Sequence, residues 1–151
     1  MQKAELPPVL QMEHRDIHEE MLKATRLGGE TETAAREVVK VLFPHVVLEE
    51  EFGLPPLAVL PRLARGEVTP DMARVIPLSE LLKAELPRML HEHKLIVEAL
   101  QKFLRAAANE QHAGYARLAQ KLIALAQLEE EVLYPASIVV GDYLKWKLGK
   151  S

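Results

Sequence analysis

Apolar residues recur at three- and four-residue spacing through four long stretches of this chain, and only a helix gathers residues so spaced onto one face. The expected fold class is therefore all-α. A first helix is expected over residues 8–27, opened by Pro7-Pro8 and closed by Gly28-Gly29, since proline suits the first helical turn and glycine the position after the last. Thr31 and Thr33 are placed to cap a second helix carrying Val38, Val41, Leu42 and Phe52, which stops before Leu54-Pro55-Pro56. Pro44 falls inside it and predicts a kink. Residues 53–77 hold five of the ten prolines and read as an irregular excursion, with one short helix near 57–64 and a new start at Thr69-Pro70-Asp71. A third long helix follows over 78–108, a fourth over 109–134, a break or bend at Pro135, and a tail helix over 136–148. Four long amphipathic helices with short links make an antiparallel up-down four-helix bundle, in one domain over 1–151.

Composition narrows the chemistry. The chain has no cysteine, which excludes disulfides, thiolate-held zinc, iron–sulfur clusters and a thiol nucleophile. The first eight residues have no apolar run, no stretch is long and apolar enough to span a bilayer, and a net charge of −3 with 5% aromatics leaves no footprint for nucleic acid. The expectation is a cytoplasmic domain whose partner is small or is another protein.

Continuing each apolar stripe shows where it is violated. The first helix gives Leu10, His14, Ile17, Met21, and the second Val38, Val41, His45, Glu49, Phe52. The third gives Leu86, Met89, His93, Ile96, Leu100, and the fourth Leu118, Leu122, Leu125, Glu129, Val132. Each helix thus points at least one ionisable group inward. Their depths agree: His14 and His93 each lie six residues after a proline (Pro8, Pro87), Glu129 lies six before Pro135, and His45 and Glu49 lie in the last turns before Leu54. His45 and Glu49, at i and i+4, share a face. Three imidazoles and two carboxylates converging in an apolar interior suit a borderline divalent cation such as iron, zinc or manganese. Without a metal, two inward carboxylates must be protonated or paired with histidine.

Four fragments carry a resemblance: Glu13-His14-Arg15-Asp16-Ile17, His45-Val46-Val47-Leu48-Glu49-Glu50-Glu51, Glu92-His93-Lys94-Leu95-Ile96 and Glu129-Glu130-Glu131-Val132-Leu133-Tyr134-Pro135. Together, in this order, they resemble the four helices of the hemerythrin-like, HHE-type cation-binding domain, from about Leu10 to Pro135. The resemblance implies a non-haem di-iron centre that binds or senses O2, NO or iron. It assigns His14 and His45 to one metal, His93 to the other, and Glu49 and Glu129 to the bridge. The family's last helix carries a histidine four residues before its bridging carboxylate, and here that position is Leu125. The second metal would keep only His93 and the bridging carboxylates, so one or two irons remain open, as does a single cation on His14, His45 and one or both glutamates.

Other polar residues have blander readings. His18 reads as an edge residue, His91 as lying outside the site and His112 as surface. The outer glutamates of the two acidic runs read as solvated or paired with Lys and Arg. Tyr134 either covers the site mouth or packs at the bundle end, while Tyr143, Trp146 and Leu148 pack the tail helix. The apolar stretch from Leu54 to Leu63 and the tail are candidates for a homodimer surface. No Glu-x-x-His, His-Glu-x-x-His, Gly-x-Ser-x-Gly or phosphate loop occurs. The leading expectation is a hemerythrin-like carrier or sensor rather than a dedicated enzyme. Its competitors are a metal-free structural or protein-interaction bundle and a redox enzyme acting on O2 or peroxide.

Overall fold

Proline and glycine punctuate the chain where helices must start and stop, and a computed structural model describes residues 5–150 accordingly. Helix α1 spans Pro8–Ala24 with proline in its first turn, where the missing N–H costs nothing. Helix α2 spans Gly29–Leu48, with Pro44 inside it. Its start corrects the expected threonine caps. Thr31 already lies within the helix, and the Glu110 carboxylate, from far along the chain, accepts the N–H groups of Glu30 (3.0 Å) and Thr31 (2.7 Å) and the Thr31 hydroxyl. Gly29, at φ +63°, leaves that carboxylate room, because a Cβ there would collide with Glu110 Oε2.

From Glu49 to Gly53 the chain continues as one π-helical turn. The excursion then folds as a 3₁₀ turn, Pro55–Val59, a short helix α3, Leu60–Ala64, and a second 3₁₀ turn, Pro70–Val75. Helix α4 runs over Ile76–Asn109, passing Pro87 without interruption. Helix α5, Ala113–Leu128, leads into a second π-helical turn, Glu129–Leu133, and directly into α6, Tyr134–Lys147. Pro135 therefore opens a helix rather than breaking one. Among the described residues no strand occurs, and no described helix is long and apolar enough to cross a membrane.

The apolar stripes assemble two layers. Ile17 and Met21 of α1, Val38 and Leu42 of α2, Ile96 and Leu100 of α4, and Leu122 of α5 form one buried cluster. Phe52, Leu54, Leu57, Leu82, Met89 and Tyr134 form a second. Burying such side chains contributes roughly 1.5–3 kcal/mol each against exposure. Most of the excursion's apolar side chains belong to the interior: Leu54, Leu57 and Val59 are buried against α4 and α6, while Leu60 is exposed. Helix α6 lies so close to α4 that a Cβ on Gly141 would collide with the Ser79 side chain, and the Ser79 hydroxyl donates to the Ser137 carbonyl at 2.8 Å. The tail aromatics correct another expectation, since Trp146 is 74% exposed and Tyr143 is also at the surface.

Each π turn adds a residue to its turn and so rotates the helix beyond it. Val132, expected on the inward stripe, is 51% exposed, while Tyr134 is fully buried.

Candidate metal centre

Between the two apolar layers lies a polar one. In α4, His93 sits between Met89 and Ile96. In the second helix, His45 and Glu49 sit between Leu42 and Phe52. His14, His45, Glu49, His93 and Glu129 are all buried. One ligand atom from each of His45, Glu49, His93 and Glu129 falls within 4.8 Å of all the others, a set that could hold a metal ion. His14 stands beside this group, its Nε2 3.7 Å from Glu49 Oε1. The imidazole rings of His45 and His93 are 4.7 Å apart.

Each inward histidine is held from behind. His45 Nδ1 donates to Glu92 Oε1 at 2.8 Å, His93 Nδ1 to Glu130 Oε1 at 3.1 Å, and His14 Nδ1 to Glu50 Oε1 at 3.4 Å. In all three the Nε2 is the atom turned toward Glu49 or Glu129. A carboxylate on Nδ1 fixes ring orientation and raises the basicity of Nε2, an arrangement typical of metal-bound histidine. Glu50 and Glu130 are thus partners of histidine and not, as the acidic runs suggested, merely solvated or paired with cations.

Tyr134 completes the cluster from the start of α6. Its hydroxyl donates to Glu49 Oε2 at 2.7 Å and lies 3.1 Å from both His45 Nε2 and His93 Nε2. It covers no mouth, since it is wholly inside.

The protons are distributed unevenly. Burial pushes Glu49 up, but hydrogen bonds with His45, Glu129 and Tyr134 and the His45 charge outweigh it and hold the carboxyl down at about 2. Burial and then the Glu49 charge drive Glu129 well above the ordinary carboxylate range. Burial alone would lower His45, yet Glu49 and Glu92 turn the net shift upward. Burial and the His45 charge hold His93 below its usual value. Tyr134 is raised by burial and by the Glu49 and Glu129 charges. The two inward carboxyls are thus shifted in opposite directions, Glu49 down and Glu129 up, and so are the two imidazoles, His45 up and His93 down, with His93 Nε2 3.0 Å from Glu129 Oε1.

A cavity of about 720 Å³ adjoins the centre, lined by residues of α1, α2, α4 and α5. Gln11, Arg15, His18 and Phe43 line it together with His14, Glu49 and Glu129, and Leu125 forms part of its apolar wall. His18 is exposed and stacks on Phe43 at 4.4 Å, while His91 is exposed and outside the cluster. His112 is half-buried at the start of α5.

Tyr134, Glu92, Glu50 and Glu130 were not among the expected site residues. Three of them adjoin one in sequence, Glu50 and Glu130 following the inward glutamates and Glu92 preceding His93, and that adjacency was the available signal. Compared with models of protein families, with curated proteins and with solved structures, the chain finds no match in any of the three.

Proposed function

We propose that this protein is a hemerythrin-like binder of one non-haem iron, held by His45, Glu49, His93 and Glu129 with His14 on its flank, in a four-helix bundle of α1, α2, α4 and α5. The observation that carries this reading is the carboxylate behind each inward imidazole, at 2.8, 3.1 and 3.4 Å. Any buried imidazole needs an acceptor for its N–H; what supports a metal is that all three place the carboxylate on Nδ1 and turn Nε2 toward the Glu49 and Glu129 carboxyls. Mixed imidazole and carboxylate donors suit iron, zinc or manganese over calcium or copper(I).

Bound there, iron would supply an open position for O2 or NO, and the adjoining cavity gives such a ligand an apolar approach. The chain's own groups do the rest: Glu92 and Glu130 orient the imidazoles, and the apolar layers on either side exclude bulk water. The corresponding role is carriage or sensing of O2, NO or iron in the cytoplasm, without turnover. Anaerobic loading with iron(II), gel filtration and metal analysis test it: about one equivalent is expected, and less than ~0.2 equivalents would overturn it.

A specific observation favours a metal-free reading. Among the described residues the one buried side-chain polar atom without a hydrogen-bond partner is Ser137 Oγ, so the polar atoms of the cluster bond one another, Tyr134 among them. On that reading iron leaves the melting temperature unchanged; on ours, iron raises it, and His45→Ala abolishes the rise.

A further inference from the structure

We infer that Tyr134 is itself a metal donor, its phenolic oxygen joining His45, Glu49, His93 and Glu129 on one ferric ion. This rests on the metal reading proposed above and extends it to a residue outside the set of histidines and carboxylates.

The placement of the oxygen carries the inference. A buried tyrosine hydroxyl is satisfied by a single partner. Tyr134 is fully buried, and its oxygen lies 2.7 Å from Glu49 Oε2 and 3.1 Å from the Nε2 atoms of both His45 and His93. Those three atoms come from two other helices, α4 and the α2 segment with its π turn. Donors that share one cation at about 2.0–2.1 Å stand roughly 3 Å apart when they subtend a right angle at it. The Tyr134 oxygen thus stands from its neighbours at the spacing of fellow ligands.

The local backbone explains how it gets there. Tyr134 comes directly after the π turn Glu129–Leu133, whose extra residue brings the ring inward and leaves Val132 outside. The donor count also fits, because two imidazoles, two carboxylates and one phenol make five, leaving one position of an octahedron for an exogenous ligand. Hard phenolate oxygen favours iron(III) over iron(II) or zinc. On binding, the phenol O–H bond breaks, the oxygen pair forms the bond to iron, and the proton leaves to bulk water. Iron supplied as iron(III) requires no oxidant.

The test loads the full chain with ferric citrate and reads iron content and the visible spectrum together. A phenolate bound to iron(III) gives a visible charge-transfer band, and resonance Raman excitation within it enhances phenolate ring modes. Both are expected in the wild-type protein. Tyr134→Phe should lose the band while retaining iron, whereas Tyr115→Phe and Tyr143→Phe, at the other two tyrosines, should keep it. Iron bound to the wild-type protein with no band or phenolate modes would overturn the inference and leave the metal reading standing, as would a band that survives Tyr134→Phe. Failure of the wild-type protein to retain any iron would overturn both. Should the Phe variant not fold, the wild-type Raman spectrum decides alone.

Discussion

The two acidic π turns, Glu49–Gly53 and Glu129–Leu133, begin with the same three residues and have opposite electrostatics. Each turns its first glutamate inward and sends its second to the back of a histidine, Glu50 to His14 and Glu130 to His93. Four residues upstream the likeness ends, with His45 in one case and Leu125 in the other. Glu49, with His45 Nε2 3.6 Å from its Oε2, is held down at about 2 by its bonds with His45, Glu129 and Tyr134, while burial and the Glu49 charge hold Glu129 well above the ordinary carboxylate range. The outer shell obeys the same logic. Glu92, preceding His93, receives the His45 Nδ1, whereas Glu13, preceding His14, finds no imidazole at position 125 and pairs with Lys121, one turn earlier, at 3.3 Å. One side chain thus separates a turn preceded by a His at i−4 from a turn preceded by a Leu there.

The largest effect should come from restoring the missing group. Leu125→His places an imidazole four residues before Glu129 with Glu13 available to orient it, and iron content measured after anaerobic loading should rise from about one equivalent toward two. Adding Glu13→Ala should bring it back down. An unchanged content would break the proposed likeness of the half-sites.

Next in size is the cost of removing each inward glutamate from chelator-treated protein. Glu49→Ala removes a buried carboxylate that bonds the Tyr134 hydroxyl and faces His45 Nε2, and should cost about 1–3 kcal/mol in urea unfolding. Glu129→Gln removes a carboxyl that burial and the Glu49 charge push toward its neutral form, and should cost under about 1 kcal/mol. Equal costs would mean that the two carboxyls are shifted alike rather than in opposite directions.

A smaller effect is expected behind the imidazoles. Glu92→Ala should weaken iron binding by roughly 10–100-fold in competition with a chelator. Glu130→Ala should do less, its carboxylate being more exposed and farther from its histidine. The reverse order would show that the His93 side dominates.

The smallest concerns the far end of α2. Glu110 is held below its ordinary value of 4.5 by its bonds to Thr31 and Glu30. A lowered carboxyl stabilises the fold above its unfolded value, and that contribution is lost as pH falls from about 4.5 through the folded value. Glu110→Gln should lower the melting temperature by a few degrees at pH 7 and flatten its decline below pH 4.5; an unaltered decline would remove Glu110 from the account of helix capping.

The helices and their inward polar residues were legible in the sequence because they depend on periodicity alone. Pro7-Pro8, Gly28-Gly29 and the stripes through His14, His45, His93 and Glu129 needed no knowledge of neighbours. The burial of Leu54, Leu57 and Val59 was not legible, since an apolar loop reads the same whether its partner is this chain or another copy. The capping of α2 was likewise hidden, because threonines near a helix start announce themselves and a glutamate nearly eighty residues later does not.

By itself, then, the sequence determined an all-helical chain with three imidazoles and two carboxylates facing inward, for helical phase is a local property of spacing. Only the tertiary structure decided which imidazoles adjoin, which glutamates stand behind them, and that Tyr134 enters the cluster. Those outcomes turn on how far each π turn rotates the residues beyond it and on which helix lies opposite, and both are set by packing between segments distant in the chain.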